Sequence, residues 1–153
     1  MILGLALKMK FSLKEKIDTL LKATKLKRTS PRRKILEILI NANKPQTAED
    51  ILSAIGKTRI NKVTIYRTLD SMIESGLVHR AFVSDGNCHF ELADKCTEHQ
   101  CHPHFVCTDC GQTRCLPEVS VPMATSTPAG FVVERQQVRL EGLCPACGKT
   151  ANK

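Results

Sequence analysis

The sequence lacks any apolar run that approaches the roughly 20 residues needed to cross a membrane. Residues 1–7 are apolar, but no basic stretch precedes them and no small-residue cleavage site follows, so we expect no signal peptide. Met9 is an alternative start, because the first helical pattern begins just after it. We therefore expect a cytoplasmic protein with no membrane partner, whose eight cysteines are metal ligands or redox groups rather than disulfides.

Motifs of common zinc enzymes are also missing. No H-E-x-x-H motif occurs, which metalloproteases use to bind zinc and activate water. The last C-x-x-C pair follows Leu143, whereas zinc deaminases have a proline at that position. We therefore predict that the protein is not an enzyme. Internal repeats and low-complexity tracts are absent as well, and 153 residues are enough for one ordinary domain or two small ones.

Charge and cysteine are distributed unevenly along the chain. The net charge of +8 at pH 7 arises entirely in residues 1–95, which contain 18 basic and 10 acidic side chains, because residues 96–153 contain five of each. Seven of the eight cysteines lie from Cys96 onward. The basic part suits nucleic acid or another anionic surface, although a solvated basic face is the alternative. The cysteine-rich part suits a metal ion.

Four helices and a hairpin are predicted in the basic part. Ser12-Leu-Lys-Glu15 is a capping box, and Ser30-Pro31 is a second helix start. Two further helices cover residues 47–56 and 61–76, and a hairpin with a Ser-Asp-Gly-Asn turn covers 77–92. The third and fourth helices are spaced like a helix-turn-helix, and a hairpin directly after such a motif is typical of a wing.

The fourth predicted helix has a polar face suited to DNA. Residues spaced i, i+3, i+4 and i+7 on this face are all hydroxylic or basic: Thr64, Arg67, Thr68 and Ser71. Lys62 and Tyr66 flank them, and no acidic residue of this helix precedes Asp70. Such side chains approach bases and phosphates closely, whereas carboxylates are repelled. An ordinary surface helix is the alternative, because polar helix faces are common.

The cysteine-rich part contains two C-x-x-C pairs, Cys107–Cys110 and Cys144–Cys147. Four thiolates from two such pairs form the usual tetrahedral zinc site, and zinc suits them because it is redox-inert and binds thiolate strongly. A redox-active C-x-x-C is the alternative, but two matched pairs favour zinc. We therefore predict structural Zn²⁺ on these four cysteines.

A second group of potential ligands lies just before the first pair. Five cysteines and histidines occur within nine residues: Cys96, His99, Cys101, His102 and His104. His79, in the predicted wing, is a candidate to complete a four-ligand set. Alternating apolar residues over 131–141 predict a half-buried strand, and a sheet this small is expected to pair across a homodimer.

Four segments together make the chain resemble the Fur (ferric uptake regulator) family: RTSPRR at 28–33, VTIYRTL at 63–69, FEL at 90–92 and HPHFVCTDCG at 102–111. The resemblance covers about residues 12–148. It implies an α+β fold, with an N-terminal winged helix-turn-helix domain over 1–94 and a small C-terminal α/β dimerisation domain over 95–153 that carries the four-cysteine zinc site. It also implies a homodimeric, metal-dependent repressor of double-stranded operator DNA, in which metal loading sets the angle between the DNA-binding domains.

The same resemblance assigns individual residues. Tyr66 and Arg67 are expected to contact DNA, with Lys27 and Arg32 near the DNA backbone. Together with the helix pattern above, the expected DNA-binding residues are Lys27, Arg32, Lys62, Thr64, Tyr66 and Arg67. The cysteines of the two pairs match the structural zinc site of the family: Cys107, Cys110, Cys144 and Cys147.

Within the family, the chain most resembles the zinc uptake regulator branch. Cys96, His102 and His104 stand where that branch has sensing ligands, and His79 matches a further ligand position. We therefore expect regulatory Zn²⁺ at these four residues, with Fe²⁺ as the alternative metal. Further candidate ligands are Cys88, Glu91, Cys101 and Glu118. An iron- or peroxide-responsive regulator is the alternative function, and a zinc storage or delivery protein without DNA binding is the alternative from another class.

Two departures from the family pattern concern the cysteine-rich part. Cys101, Pro103 and Gln136 stand where many members carry histidine or aspartate ligands of a third metal site, which is therefore not expected here. Pro122 and Pro128 interrupt a stretch that is usually helical, so we expect an abbreviated dimerisation domain.

Overall fold

The computed structural model describes residues 12–84, 86–96 and 100–151. Backbone contacts divide the chain into two compact units, the first ending at Asp94 and the second beginning at Lys95. The alternative start at Met9 and the candidate ligand His99 lie outside the described residues. Within the described ranges, no helix combines the length and apolarity that a membrane span requires.

The first unit consists of four helices and a three-stranded antiparallel sheet. The helices are α1 (Leu13–Ala23), α2 (Ser30–Asn41), α3 (Ala48–Ile55) and α4 (Lys62–Glu74). The strands are β1 (Gln46–Thr47), β2 (Val78–Ser84) and β3 (Asn87–Leu92), in the order β1-β3-β2. The predicted helices and both strands of the predicted hairpin are present, with ends shifted by a residue or two. The predicted α+β class is thereby confirmed.

The apolar faces of the helices form the core of the first unit. Its fully buried residues come from all four helices and from the start of the hairpin: Leu20, Leu21, Ile35, Leu36, Ile51, Ile65, Leu69, Met72, Leu77 and Val78. Each such side chain contributes about 1.5–3 kcal/mol relative to full exposure. This core packs α4 against α2 and α3, and it leaves the opposite face of α4 to solvent.

Local signals set both ends of α4. At its start, Oδ1 of Asn61 accepts a hydrogen bond of 2.9 Å from the N–H of Thr64. At its end, Gly76 has φ +70°, and the N–H of Leu77 donates to the carbonyl of Met72 over 2.9 Å. This is the Schellman motif, whose left-handed residue glycine adopts without a Cβ clash. The chain therefore passes from α4 into β2 through one defined turn.

The second unit contains a three-stranded mixed sheet and one short helix. Its strands are β4 (His104–Cys107), β5 (Thr113–Cys115) and β6 (Arg139–Gly142), followed by α5 (Pro145–Ala151). The strand order is β5-β4-β6, in which β4 pairs antiparallel with β5 and parallel with β6. Residues 116–138 contain no helix, as the interruptions by Pro122 and Pro128 predict.

The strand predicted over 131–141 is shorter than expected. Regular strand begins only at Arg139, and before it Gln136 makes a single bridge to Gln100. Phe131 and Val132 are 70% and 85% exposed, so this part is not half-buried. An alternating segment forms a strand only where a neighbouring strand supplies N–H and C=O groups for hydrogen bonds. Because β4 is only four residues long, it pairs with residues 139–142 and leaves residues 131–138 without a neighbouring strand of that length.

Few aliphatic side chains are buried in the second unit. Its buried residues, among those the structure describes, are Cys101, His102, Pro103, His104, Val106, Cys107 and Cys144. Most of these are potential metal ligands. Because a small unit of this kind buries little apolar surface, metal binding is the natural source of its stability.

Candidate metal centres and nucleic-acid surface

The mixed sheet brings the two C-x-x-C pairs to one end of the second unit. Cys107 ends β4, and the N–H of Gly111 donates to its carbonyl over 3.0 Å in a tight turn. Cys144 follows β6 at the start of α5. Since β6 runs parallel to β4, the two strands end side by side, and the N–H of Thr108 donates to the carbonyl of Gly142 over 2.8 Å.

The four sulfurs of these pairs form one cluster. All four lie within 4.8 Å of one another, and Sγ of Cys110 lies 3.8 Å from Sγ of Cys144. The backbone N–H of Cys144 donates to Sγ of Cys107 over 3.3 Å. Cys107 and Cys144 are buried, Cys147 is half-buried and Cys110 is exposed. Four converging sulfurs with this burial fit a tetrahedral zinc site of the structural kind.

Hydrogen bonds give the cluster sulfurs different proton affinities. The backbone N–H groups of Cys110 and Cys144 donate to the sulfur of Cys107 and lower the pKa of its thiol to about 6. The pKa of Cys147 is raised, first by its hydrogen bond with the carboxylate of Asp109 and then by the neighbouring thiols. The four sulfurs are too close together to ionise independently. A divalent cation that binds all four favours their thiolate forms.

A second group of potential ligands lies within the second unit. Ligand atoms of Cys101, His102 and His104 lie within 4.8 Å of one another, and all three residues are buried. The rings of His102 and His104 are 4.6 Å apart between centroids. Sγ of Cys96 lies 2.8 Å from Sγ of Cys101. Two predicted regulatory residues, His102 and His104, thus lie near each other. Cys101, a further candidate in the sequence, lies beside both histidines and beside the third predicted residue, Cys96.

In the first unit, His79 faces a carboxylate. It is buried in β2, and its Nε2 is hydrogen-bonded to Oε1 of Glu91 on β3 over 2.8 Å. A carboxylate on one ring nitrogen is the usual way to orient a metal-binding histidine. Cys88 is half-buried against the apolar core, and Glu118 is exposed. Among the described residues, neither belongs to a group of three potential ligands.

The exposed face of α4 carries the residues predicted to bind DNA. Lys62, Tyr66 and Arg67 are exposed, and Thr64 is half-buried beside the helix cap. The ammonium of Lys62 lies 5.9 Å from the centroid of the Tyr66 ring. Within the described part of the chain, the side chain of Arg67 forms no hydrogen bond or ion pair. It is therefore available to an external partner.

Arg32 has a structural contact that the sequence did not indicate. Its guanidinium donates to the carbonyl of Lys27 over 2.9 Å and to Oγ of Ser71 over 2.8 Å. These bonds tie α2 to α4. Lys27 itself is exposed, as a contact to the DNA backbone requires.

Sequence reasoning missed two ion pairs beside the predicted DNA surface. Glu49 of α3 forms an ion pair with Lys62, and Asp70 of α4 forms one with Arg80 of the wing over 2.9 Å. Both pairs join residues of different elements, so no spacing along the chain could reveal them. The sequence pattern of α4 includes only the side chains of α4. The negative charge near Lys62 comes from α3, which packs against α4.

Comparison with known proteins agrees with this arrangement. The sequence model of the Ferric uptake regulator family matches residues 23–140. The peroxide operon regulator of Bacillus subtilis (strain 168) is 33% identical over 147 residues, which are 92% of this chain and 96% of that protein. A ferric uptake regulation protein of Bordetella parapertussis is 33% identical over 135 residues, covering 84% of this chain and 94% of that protein.

Solved structures show the same fold. The ferric uptake regulator of Pseudomonas aeruginosa with manganese superposes with a TM-score of 0.58 and 27% identity, over 84% of this chain and 97% of that chain. A zinc uptake regulator complexed with zinc and DNA superposes with a TM-score of 0.66, over 94% of this chain and 100% of that chain, but at 23% identity it shows the fold alone. Proteins of this family are dimeric, DNA-binding and metal-binding regulators of transcription, and they are not enzymes. The chain therefore belongs to the ferric uptake regulator family and is a metal-responsive transcriptional regulator.

Proposed function

We propose that this protein is a zinc-sensing repressor that binds palindromic operator DNA as a homodimer in the cytoplasm. The observation that carries the metal assignment is a set of thiol and imidazole donors: ligand atoms of Cys101, His102 and His104 converge, and the sulfur of Cys96 lies 2.8 Å from that of Cys101. Thiolate and imidazole donors favour zinc, whereas sets of oxygen and nitrogen donors suit iron or manganese better. The relatives named for iron or peroxide make Fe²⁺ the alternative regulatory metal.

The proposal assigns two different roles to zinc. Structural Zn²⁺ is held by the four-sulfur cluster, and its role is to stabilise the second unit. Regulatory Zn²⁺ is held by Cys96, His102 and His104, with His79 as the fourth ligand. Binding of the regulatory ion and of the operator are then thermodynamically coupled, so each tightens the other.

Exposed apolar side chains support the homodimer. In the second unit, large apolar residues that are more than a third exposed are Val119, Phe131, Val132, Val133, Leu140 and Leu143. Exposed apolar surface gathered in one small unit is typical of a protein–protein contact. Because proteins of this family are dimers, we assign this apolar surface to contact with a second copy of the chain.

A metal-dependent DNA titration tests the proposal. Operator DNA is first selected from a random-sequence pool with zinc-loaded protein, and binding is then measured at fixed salt under buffered Zn²⁺, Fe²⁺ or Mn²⁺. We expect half-sites about one helical turn, ~10 bp, apart or a close multiple. Zinc should raise affinity at lower free concentration than the other metals. A response to Fe²⁺ without a response to Zn²⁺ overturns the zinc assignment and leaves the family intact.

Arg67→Ala is expected to weaken operator binding about fivefold or more, because a good bidentate base contact contributes about 1–3 kcal/mol. Fluorescence anisotropy with the selected operator measures the loss, and variant operators show whether sequence preference relaxes at one base pair. The matched control is Arg114→Ala, which removes an exposed arginine from the second unit. If Arg67→Ala binds the operator as tightly as the wild type, the prediction that α4 contacts the bases is wrong.

Glu49→Gln is expected to have the opposite effect. Glu49 competes with phosphate for Lys62, so removing its charge should raise DNA affinity by about two- to fivefold at low salt and less at high salt. Thermal stability should hardly change, since the ion pair is exposed. Glu37→Gln, at another exposed carboxylate of the same unit, is the control. A decrease in DNA affinity for Glu49→Gln contradicts the assigned role of Lys62.

A further inference from the structure

Two thiols outside the four-sulfur cluster lie unusually close together. Sγ of Cys96 is 2.8 Å from Sγ of Cys101, although the residues are five positions apart in the sequence. Cys101 is buried and Cys96 is partly exposed, and neither is part of a disulfide. For comparison, the sulfurs of Cys110 and Cys144, inside the four-sulfur cluster, are 3.8 Å apart.

This separation favours a covalent bond between the two sulfurs. A disulfide needs an S–S distance of about 2.05 Å, so the two atoms have to move together by less than an ångström. Partial exposure gives a small oxidant access to Cys96, while the buried position of Cys101 keeps the second thiol next to it. The proposed regulatory set of four ligands includes Cys96 but not Cys101.

We propose that Cys96 and Cys101 form a reversible disulfide on reaction with a peroxide, and that this disulfide switches off the metal response. The second half rests on the proposed function, because it requires Cys96 to be a ligand of the regulatory ion. Its thiolate cannot bind metal while the sulfur is part of a disulfide. Peroxide then acts through loss of a ligand and leaves the four-sulfur cluster unchanged.

The reaction balances with peroxide as the oxidant. The sulfur of Cys96 attacks one peroxide oxygen, the O–O bond breaks, and a sulfenic acid and one molecule of water result. The thiol of Cys101 then attacks the sulfenic sulfur, the S–O bond breaks, and a second water leaves with the thiol proton. Two electrons pass from the two thiols to the peroxide. A dithiol reductant reverses the change by thiol–disulfide exchange.

Peptide mapping tests the bond itself without reference to DNA. The full-length homodimer, with its structural metal retained, is treated with hydrogen peroxide, alkylated, and digested after Lys95 and after Glu98. The cut after Glu98 separates the two cysteines, so a disulfide holds the fragments that contain Cys96 and Cys101 together. Recovery of that linked pair is expected. Cys96 linked to a cluster cysteine, or both thiols alkylated after treatment, overturns the proposal.

DNA binding tests the regulatory half. Peroxide should lower zinc-dependent operator affinity at least tenfold, and dithiothreitol should restore it. Reduced Cys101→Ser should respond to zinc like the wild type. After prolonged peroxide treatment its loss of affinity should not be reversed by dithiothreitol, because a sulfenic acid on Cys96 that no neighbouring thiol captures is oxidised further to sulfinic acid, which dithiothreitol does not reduce. Cys101→Ala is the second variant in case the buried serine disturbs folding. Cys115→Ser, at a half-buried cysteine of the same unit, should behave like the wild type.

The remaining outcomes separate this proposal from the proposed function. If reduced Cys101→Ser and Cys101→Ala fold and yet lose the zinc response, Cys101 is a ligand and its role as resolving thiol is wrong. If mapping finds Cys96 linked to Cys115 instead of Cys101, Cys115 is the partner and the proposal is wrong. If the linked pair forms reversibly in a protein that does not respond to zinc, the oxidation site stands and the zinc-sensing function fails.

Discussion

Cys110→Ser is expected to unfold the second unit and to abolish the homodimer. Cys110 is exposed, so serine costs little packing, and a large effect must come from lost metal binding. A structural zinc site contributes about 10–16 kcal/mol at pH 7. The net stability of a whole domain is only about 5–15 kcal/mol. Metal analysis should find the structural zinc missing, and the thermal transition of the second unit should disappear in circular dichroism.

The control for this experiment is Cys115→Ser. Cys115 lies on β5 of the same unit, outside the four-sulfur cluster. Its replacement should leave zinc content, melting and sedimentation as a dimer unchanged. A Cys110→Ser protein that remains dimeric and as stable as the wild type contradicts the structural zinc site.

Cys96→Ser is expected to keep the fold and the structural zinc but to lose zinc-stimulated DNA binding. Coupling between an effector site and a ligand site is typically about 1–3 kcal/mol, or roughly 5–150-fold in affinity. The variant should therefore show only the weak, salt-sensitive binding that basic side chains give by themselves. Anisotropy titrations over a buffered zinc series, at one salt concentration, measure the loss.

Cys88→Ser provides the matched control, since Cys88 is also half-buried but lies on β3 of the first unit. It should respond to zinc at the same concentrations as the wild type. If Cys96→Ser still responds at those concentrations, Cys96 is not a regulatory ligand, and the sensor lies around Cys88, Glu91 or Cys101. The reciprocal measurement is a check on the coupling: operator DNA should tighten regulatory zinc binding in the wild type and not in Cys96→Ser.

Local signals in the sequence predicted the first unit well. The capping box at Ser12 and the cap at Asn61 act through hydrogen bonds to residues three positions away, so the sequence alone contains both partners. Gly76 ends α4 through its own backbone conformation. The hairpin followed from alternation and a turn between adjacent strands. In each case the interacting groups are neighbours along the chain.

Predictions that needed distant partners were less complete. The strand over 131–141 failed before Arg139, because no sequence pattern shows that β4 is too short to pair with it. The ion pair of Glu49 with Lys62 depends on helix packing. The contact between Cys96 and Cys101 is set by the tertiary fold and not by their spacing along the chain. Spacing identified these cysteines as potential metal ligands, but it could not show which two lie in contact.

The parallel pairing of β4 with β6 also determines the order in which the second unit is completed during synthesis. Its first C-x-x-C pair is translated long before the second, since 37 positions separate Cys107 from Cys144. Closing so long a loop has an entropic cost that only late contacts offset. The first unit, which ends at Asp94, can fold while the second still lacks β6. The supply of zinc at that stage should therefore determine the yield of native protein. In zinc-poor cells, we expect degradation of nascent chains whose first unit is folded and whose second unit is unfolded.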